Sequence, residues 1–92
     1  MAKLLVFHGR ECPHCRIMMP LVEKLEKETG IVFEKYEVWH DEKNADLMRS
    51  HKDILGPKCG GQLRVPAFIN LETRDAHCGE MPYEQLKAWA SQ

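Results

Sequence analysis

The strongest constraint on this chain is local. An uninterrupted apolar run, Leu4 to Phe7, leads through a short polar turn to two cysteines at Cys-x-x-Cys spacing, which open an amphipathic stretch. The segment Lys3 to His8, with Leu-Leu-Val-Phe inside it, is what a strand buried on both faces requires. From about Pro13 to Thr29 the apolar residues recur at helical spacing. Ile17, Leu21 and Leu25 lie four apart, and Met18 and Val22 widen the stripe. Gly30 stands where a helix C-terminal cap belongs. Pro20 interrupts the stretch and predicts a kink, because it lacks an N–H and crowds the Arg16 carbonyl. A strand feeding such a helix places Cys12 at the junction and Cys15 on the same side of the first turn.

The remaining elements alternate. Ile31 to Trp39 is rich in β-branched and aromatic residues and predicts a second strand. Asp41 caps a second helix running to about Lys52, with Ala45, Met48 and Leu47 inward. Leu55 to Arg64 reads as a loop punctuated by Gly56, Pro57, Gly60 and Gly61. Pro66 to Leu71 and Asp75 to Cys78 predict a hairpin turning at Thr73 and Arg74. A last helix starts near Pro82 and carries Tyr83, Leu86, Trp89 and Ala90 inward. The order is βαβ, then α, then ββα. With 92 residues and no repeat or linker, it predicts one α/β domain over 1–92, a sheet covered by helices on both sides.

Charge narrows the function. The chain carries 13 basic and 14 acidic residues, a formal net charge of −1. It has no basic excess with which to neutralise phosphates, so neither nucleic acid nor an anionic membrane is expected as partner. The apolar run near Met1 is too short for a signal-peptide core or a membrane span, and a cytoplasmic protein is expected.

Four cysteines admit a disulfide scaffold, a metal site or redox chemistry. A scaffold is unusual in a reducing compartment. A four-cysteine zinc site typically shows two close pairs, whereas only Cys12 and Cys15 are paired in sequence. Redox chemistry leads. Unpaired N–H groups and the partial positive charge of a helix start favour a thiolate over a thiol, which predisposes Cys12 to attack a disulfide. Pro13 suits the first helical turn, and His14 is expected within reach of Cys12, so this dipeptide should tune the thiol. Cys15 is placed to attack a mixed disulfide on Cys12 and release the partner. No organic cofactor is implied, since the electrons reside on sulfur.

These residues resemble the thioredoxin superfamily. Phe7 to Cys15, with Cys-Pro-His-Cys opening a helix, looks like its active-site segment. Pro20 matches the helix-kinking proline, Val65-Pro66 the cis-proline element, and Gly79 with Tyr83 to Lys87 the last strand and terminal helix. The resemblance covers nearly the whole chain, the Gly56–Arg64 loop excepted. It implies a thioredoxin-like fold, with a four-stranded mixed sheet flanked by three helices and the first strand central. It also implies a cis Pro66 beside Cys12, where Val65 and Pro66 dock a substrate strand through backbone groups. The activity implied is thiol–disulfide exchange with disulfide-containing proteins or small thiols. A reductase or glutathione is the expected source of electrons, and a monomer is expected. Departures mark a subtype. Pro13-His14 replaces the Gly-Pro of thioredoxins and matches a periplasmic disulfide oxidant. Val6 occupies the place of a buried aspartate, and Cys78-Gly79 stands where glutaredoxins have Gly-Gly.

Other residues carry weaker signals. Cys59, seven residues before Pro66, reads as a semi-exposed loop thiol. Its alternatives are an auxiliary thiol that traps a mixed disulfide, a partner for Cys78, or a third ligand with Cys12 and Cys15 in a metal- or iron–sulfur-binding module. Cys78, on a strand, is expected to pack as a small hydrophobe. His8, His40, His51 and His77 show no i, i+4 pair for a helical metal site. Phe33, Tyr36, Trp39, Phe68 and Trp89 are expected in the core. The alternating charges of Glu23 to Glu28 read as a solvated helix face.

Overall fold

A computed structural model describes residues 4–92. The fold follows from the double-sided burial of the first strand. In β1 (Leu4–His8), Leu4 and Val6 point to one face of the sheet and Leu5 and Phe7 to the other, and all four are buried. Period-two alternation thus supplies two cores from one strand. β1 pairs in parallel with β2 (Phe33–Glu37) and antiparallel with β3 (Ala67–Asn70), which pairs antiparallel with β4 (Asp75–Cys78). The sheet order is β2-β1-β3-β4. Lys3, expected as the first strand residue, lies outside the described residues.

One face is covered by α1 (Pro13–Thr29) and α4 (Tyr83–Ala90), whose Met18, Val22, Leu25, Leu86 and Ala90 meet Leu4, Val6, Phe33 and Phe68. Phe68 is the centre of this layer, edge-on to Phe33 and Trp89 at centroid distances of 6.2 and 6.1 Å. The other face is covered by α2 (Glu42–Ser50) and α3 (Lys52–Lys58), through Met48 and Leu55 against Leu5, Phe7, Ala67 and Ile69. Asp41 caps α2 as expected, accepting the Asn44 N–H at 3.1 Å.

Three expectations are corrected. The stretch after Leu55 is not all loop: Lys52–Lys58 is a fourth helix, so the order is βαβ-αα-ββα rather than βαβ-α-ββα. The His51 carbonyl starts it by accepting the N–H groups of Ile54 and Leu55 at 3.0 Å, and burial of Leu55 fixes its inward face. Pro57 sits in the last turn, where it removes a single intrahelical N–H, and Gly60 and Gly61 then end the helix at positive φ. On α1 the buried stripe runs through Cys15, Met18, Val22 and Leu25, leaving Ile17 at 53 % exposure. Trp39, expected in the core, is 51 % exposed.

Candidate active site

The turn between β1 and α1 is held from three sides. Cys12 occupies the N-cap of α1 in extended conformation, its N–H bonded to the Gly9 carbonyl at 3.0 Å, and Pro13 follows at the start of the helix. From the parallel neighbour, the Glu37 carboxylate accepts the N–H of Arg10 at 2.9 Å, of Trp39 at 3.1 Å and of His40 at 2.8 Å. Burial pulls the Glu37 carboxyl upward, but these three donors and the nearby His40 outweigh it, and its pKa is lowered. His40 Nε2 also meets the Glu11 carboxylate at 2.7 Å. The indole of Trp39 lies flat on Gly9, where a Cβ would sit 2.4 Å from the ring, so this position admits only glycine without displacing Trp39.

Within this frame the two cysteines of the Cys-x-x-Cys unit are free thiols. Both are buried, Cys12 at 4 % and Cys15 at 2 % exposure, so exposure does not distinguish them. Their partners do. The Cys12 thiol donates to the Val65 carbonyl at 3.7 Å, facing the start of β3. Cys15 lies behind it and accepts the Gly9 N–H at 3.4 Å. Burial pushes the Cys15 thiol up to about 12; the neighbouring Cys12 sulfur adds to this and the Gly9 N–H opposes it. Val6, at the place of the missing carboxylate, is fully buried.

The Val65–Pro66 peptide is cis, and the Pro66 carbonyl accepts the Gly79 N–H at 2.8 Å, tying this segment to the end of β4. A groove of about 390 Å³ runs alongside, lined by His14, Arg64, Val65, Cys78, Gly79 and Glu80. His14 is 65 % exposed and its Nδ1 pairs with the Glu80 carboxylate. On the other side of Val65, Val38, Trp39, Met48 and Leu63 line a second hollow of about 310 Å³.

For the other two cysteines, the alternative that pairs Cys59 with Cys78 holds and the other readings are corrected. Cys59 is 1 % exposed and disulfide-bonded to Cys78, so it is neither a semi-exposed loop thiol nor a free auxiliary thiol. Helix α3 is the physical reason: it carries Cys59 inward over β4, with Cα atoms 5.2 Å apart. Cys78 is a bonded half-cystine, not a core thiol. The three-cysteine ligand set of Cys12, Cys15 and Cys59 is therefore not assembled, since the Cys59 sulfur is already bonded. Among the described residues no cluster of three metal-ligating side chains occurs and no helix is long and apolar enough to cross a membrane. Glu37, Gly9 and Glu80 went unnoticed in the sequence, and Trp39 was expected in the core and not at the site. Gly9, three residues ahead of Cys12 in a tight turn, carried the one readable signal.

No protein-family model and no curated protein matches the chain. Solved structures do. A thioredoxin-like protein from Clostridium perfringens superposes with a TM-score of 0.69 at 22% identity, over 96% of this chain and 67% of that one. The glutaredoxin grx-1 from Archaeoglobus fulgidus superposes with a TM-score of 0.61 at 22% identity, over 96% of this chain and 85% of that one. A mutant of another thioredoxin-like protein gives 0.56 at 19% identity, over 96% and 94%. At these identities the likeness speaks for architecture alone, and together with the mixed four-stranded sheet it shows that the chain has the thioredoxin-like fold.

Proposed function

We propose that this protein is a thiol–disulfide oxidoreductase acting through Cys12 and Cys15. The observation that carries the reading is the asymmetry of the two thiols. Cys12 caps a helix and faces the Val65 carbonyl, while Cys15 is held behind it and kept protonated by burial. A thiolate at Cys12 attacks one sulfur of a substrate disulfide, forming a mixed disulfide and expelling the substrate's other sulfur as a thiolate. Cys15 then gives up its proton and attacks the Cys12 sulfur. A Cys12–Cys15 disulfide forms and the second substrate sulfur leaves. Two electrons pass to the substrate.

Docking uses the segment ahead of β3. When Cys12 loses its proton the Val65 carbonyl loses its donor, and a substrate backbone N–H takes its place. Val65 and Pro66 shape that edge, Pro13 presets the first turn, and His14 with Glu80 forms a polar wall of the groove. The substrates are disulfide-containing proteins or small thiols, and a reductase or glutathione restores the dithiol. The protein works as a monomer in the cytoplasm. Incubation with oxidised glutathione and mass spectrometry of the products tests the assignment. Wild type cycles between dithiol and Cys12–Cys15 disulfide, Cys12→Ser abolishes exchange, and Cys15→Ser accumulates glutathione on Cys12. Accumulation of glutathione on Cys15 in the Cys12→Ser variant, with none on Cys12 in the Cys15→Ser variant, reverses the roles.

A further inference from the structure

The chain holds a dithiol and a disulfide at once. Cys12 and Cys15 are free, while Cys59 and Cys78 are bonded, and one short segment separates them. The Cys12 sulfur lies 3.7 Å from the Val65 carbonyl oxygen, and the Cys78 sulfur lies 3.5 Å from that of Arg64, the preceding residue. The two sulfurs therefore flank consecutive peptides of the same strand entry. Register agrees: Cys78 sits opposite Ala67, and the Gly79 N–H bonds to the Pro66 carbonyl. Cys78 also lines the groove that begins at His14, inside the Cys-x-x-Cys unit.

The two halves of the disulfide differ in access. Cys59 is 1 % exposed at the end of α3, whereas Cys78 is partly exposed on β4. A nucleophile in the groove thus meets the Cys78 sulfur, and Cys59 is the leaving group. A bond serving only to staple α3 to β4 has no need of a sulfur in the groove that His14, between the two reacting cysteines, also lines.

We propose that Cys59–Cys78 is a second redox centre, reduced within the chain by the Cys12–Cys15 dithiol across the Arg64–Val65 peptide. This rests on the reading of Cys12 and Cys15 given above. The Cys12 thiolate attacks the Cys78 sulfur, the Cys59–Cys78 bond breaks, and Cys59 leaves and takes up the proton that Cys12 released. Cys15 loses its proton and attacks Cys12 in the Cys12–Cys78 bond, and Cys78 leaves and takes up that proton. Two electrons and two protons pass from one pair to the other, and no further oxidant or reductant enters. The chain then stores a second pair of electrons, delivered at the same groove.

The test uses the whole chain and follows all four cysteines by differential alkylation and peptide mass spectrometry while reduced glutathione is added. In wild type, Cys59–Cys78 opens at a rate independent of protein concentration, and in Cys12→Ser it opens at least about tenfold more slowly. Equal rates in the two proteins, or a rate proportional to protein concentration, overturn the proposal. A second variant guards against a folding artefact. In Cys15→Ser/Cys59→Ser, mild oxidation with diamide gives an intramolecular Cys12–Cys78 bond, and its absence from monomeric protein also overturns the proposal. The same digests separate the two claims. Where Cys12–Cys15 exchanges with glutathione while Cys59–Cys78 stays closed, only the second centre fails. Where Cys12–Cys15 is inert as well, both fail.

Discussion

At the scale of residues, the site sets two adjacent thiols in different surroundings. Cys15 is sealed under the turn and its thiol is pushed up to about 12, chiefly by burial. At neutral pH it is a thiol, and thiols alkylate slowly. Iodoacetamide at pH 7 should therefore label Cys12 first, with Cys15 following only as the chain opens; peptide mapping over time reads this, and equal labelling contradicts it. Glu37 supports the same turn through three backbone N–H groups. Glu37→Gln keeps the shape but replaces one accepting oxygen by a donor, so at least one of those N–H groups loses its partner. The expected result is a shift in Trp39 fluorescence together with slower exchange with glutathione, because the indole lies on Gly9 and the Trp39 backbone N–H is one of the three donors. The contrast in legibility is physical. Cys-x-x-Cys is a contact between neighbours in sequence, whereas Glu37 reaches Arg10 across 27 positions through a parallel pairing that leaves no local mark. The Cys59–Cys78 bond stood only as one alternative for a similar reason: four cysteines allow three pairings, and only the path of α3 selects among them.

At the scale of elements, strands and amphipathic helices were readable because one strong periodicity governed each. Leu4 to Phe7, the Asp41 cap and the Pro82 start all appear where the residues placed them. Helix α3 was not readable, since Gly56 and Pro57 are local signals for a loop, and the burial of Leu55 and Cys59 is a tertiary effect that overrides them. The energies make this concrete. Leu55 is fully buried, so Leu55→Ala should cost about 2–5 kcal/mol in denaturant unfolding. Asp41→Ala removes a single capping bond and should cost about 1 kcal/mol. If the two substitutions cost the same, α3 is held by its disulfide and not by its core contact. Trp39 belongs to this scale as well. It lies two residues past the end of β2, and the strand ends where Glu37 turns the chain over the active-site loop, so the indole covers Gly9 instead of entering either core.

At the scale of the molecule, the groups whose protonation differs between folded and unfolded chain set how stability varies with pH. On the acid side, burial lowers the His8 pKa, against the opposing pull of Glu37. Glu26 is drawn upward by burial but held low by Lys35 at 2.8 Å and the Phe33 N–H, and Asp75 is held low chiefly by the Gln92 amide. In each case the unfolded chain binds the proton more readily. Stability is fully present above the unfolded value and is lost as pH falls through the folded one, His8 first and the carboxylates below it. On the alkaline side the sign reverses. Cys15 is raised to about 12 by burial, and Tyr83 is raised to about 12 chiefly by its hydrogen bond to Glu28. Their contributions are present below the unfolded values and are lost as pH rises toward 12. Only one of these two depends on redox state. Forming the Cys12–Cys15 disulfide removes the Cys15 proton from the balance and leaves Tyr83 in place. The melting temperature of the reduced protein should therefore fall more steeply than that of the oxidised protein between pH 9 and 12, while the two follow parallel acid limbs. Thermal unfolding of both forms, kept under inert gas, reads the difference directly. Parallel alkaline limbs would show that Cys15 titrates in the folded chain as it does in the unfolded one, and the protonated, buried resolving thiol would have to be abandoned.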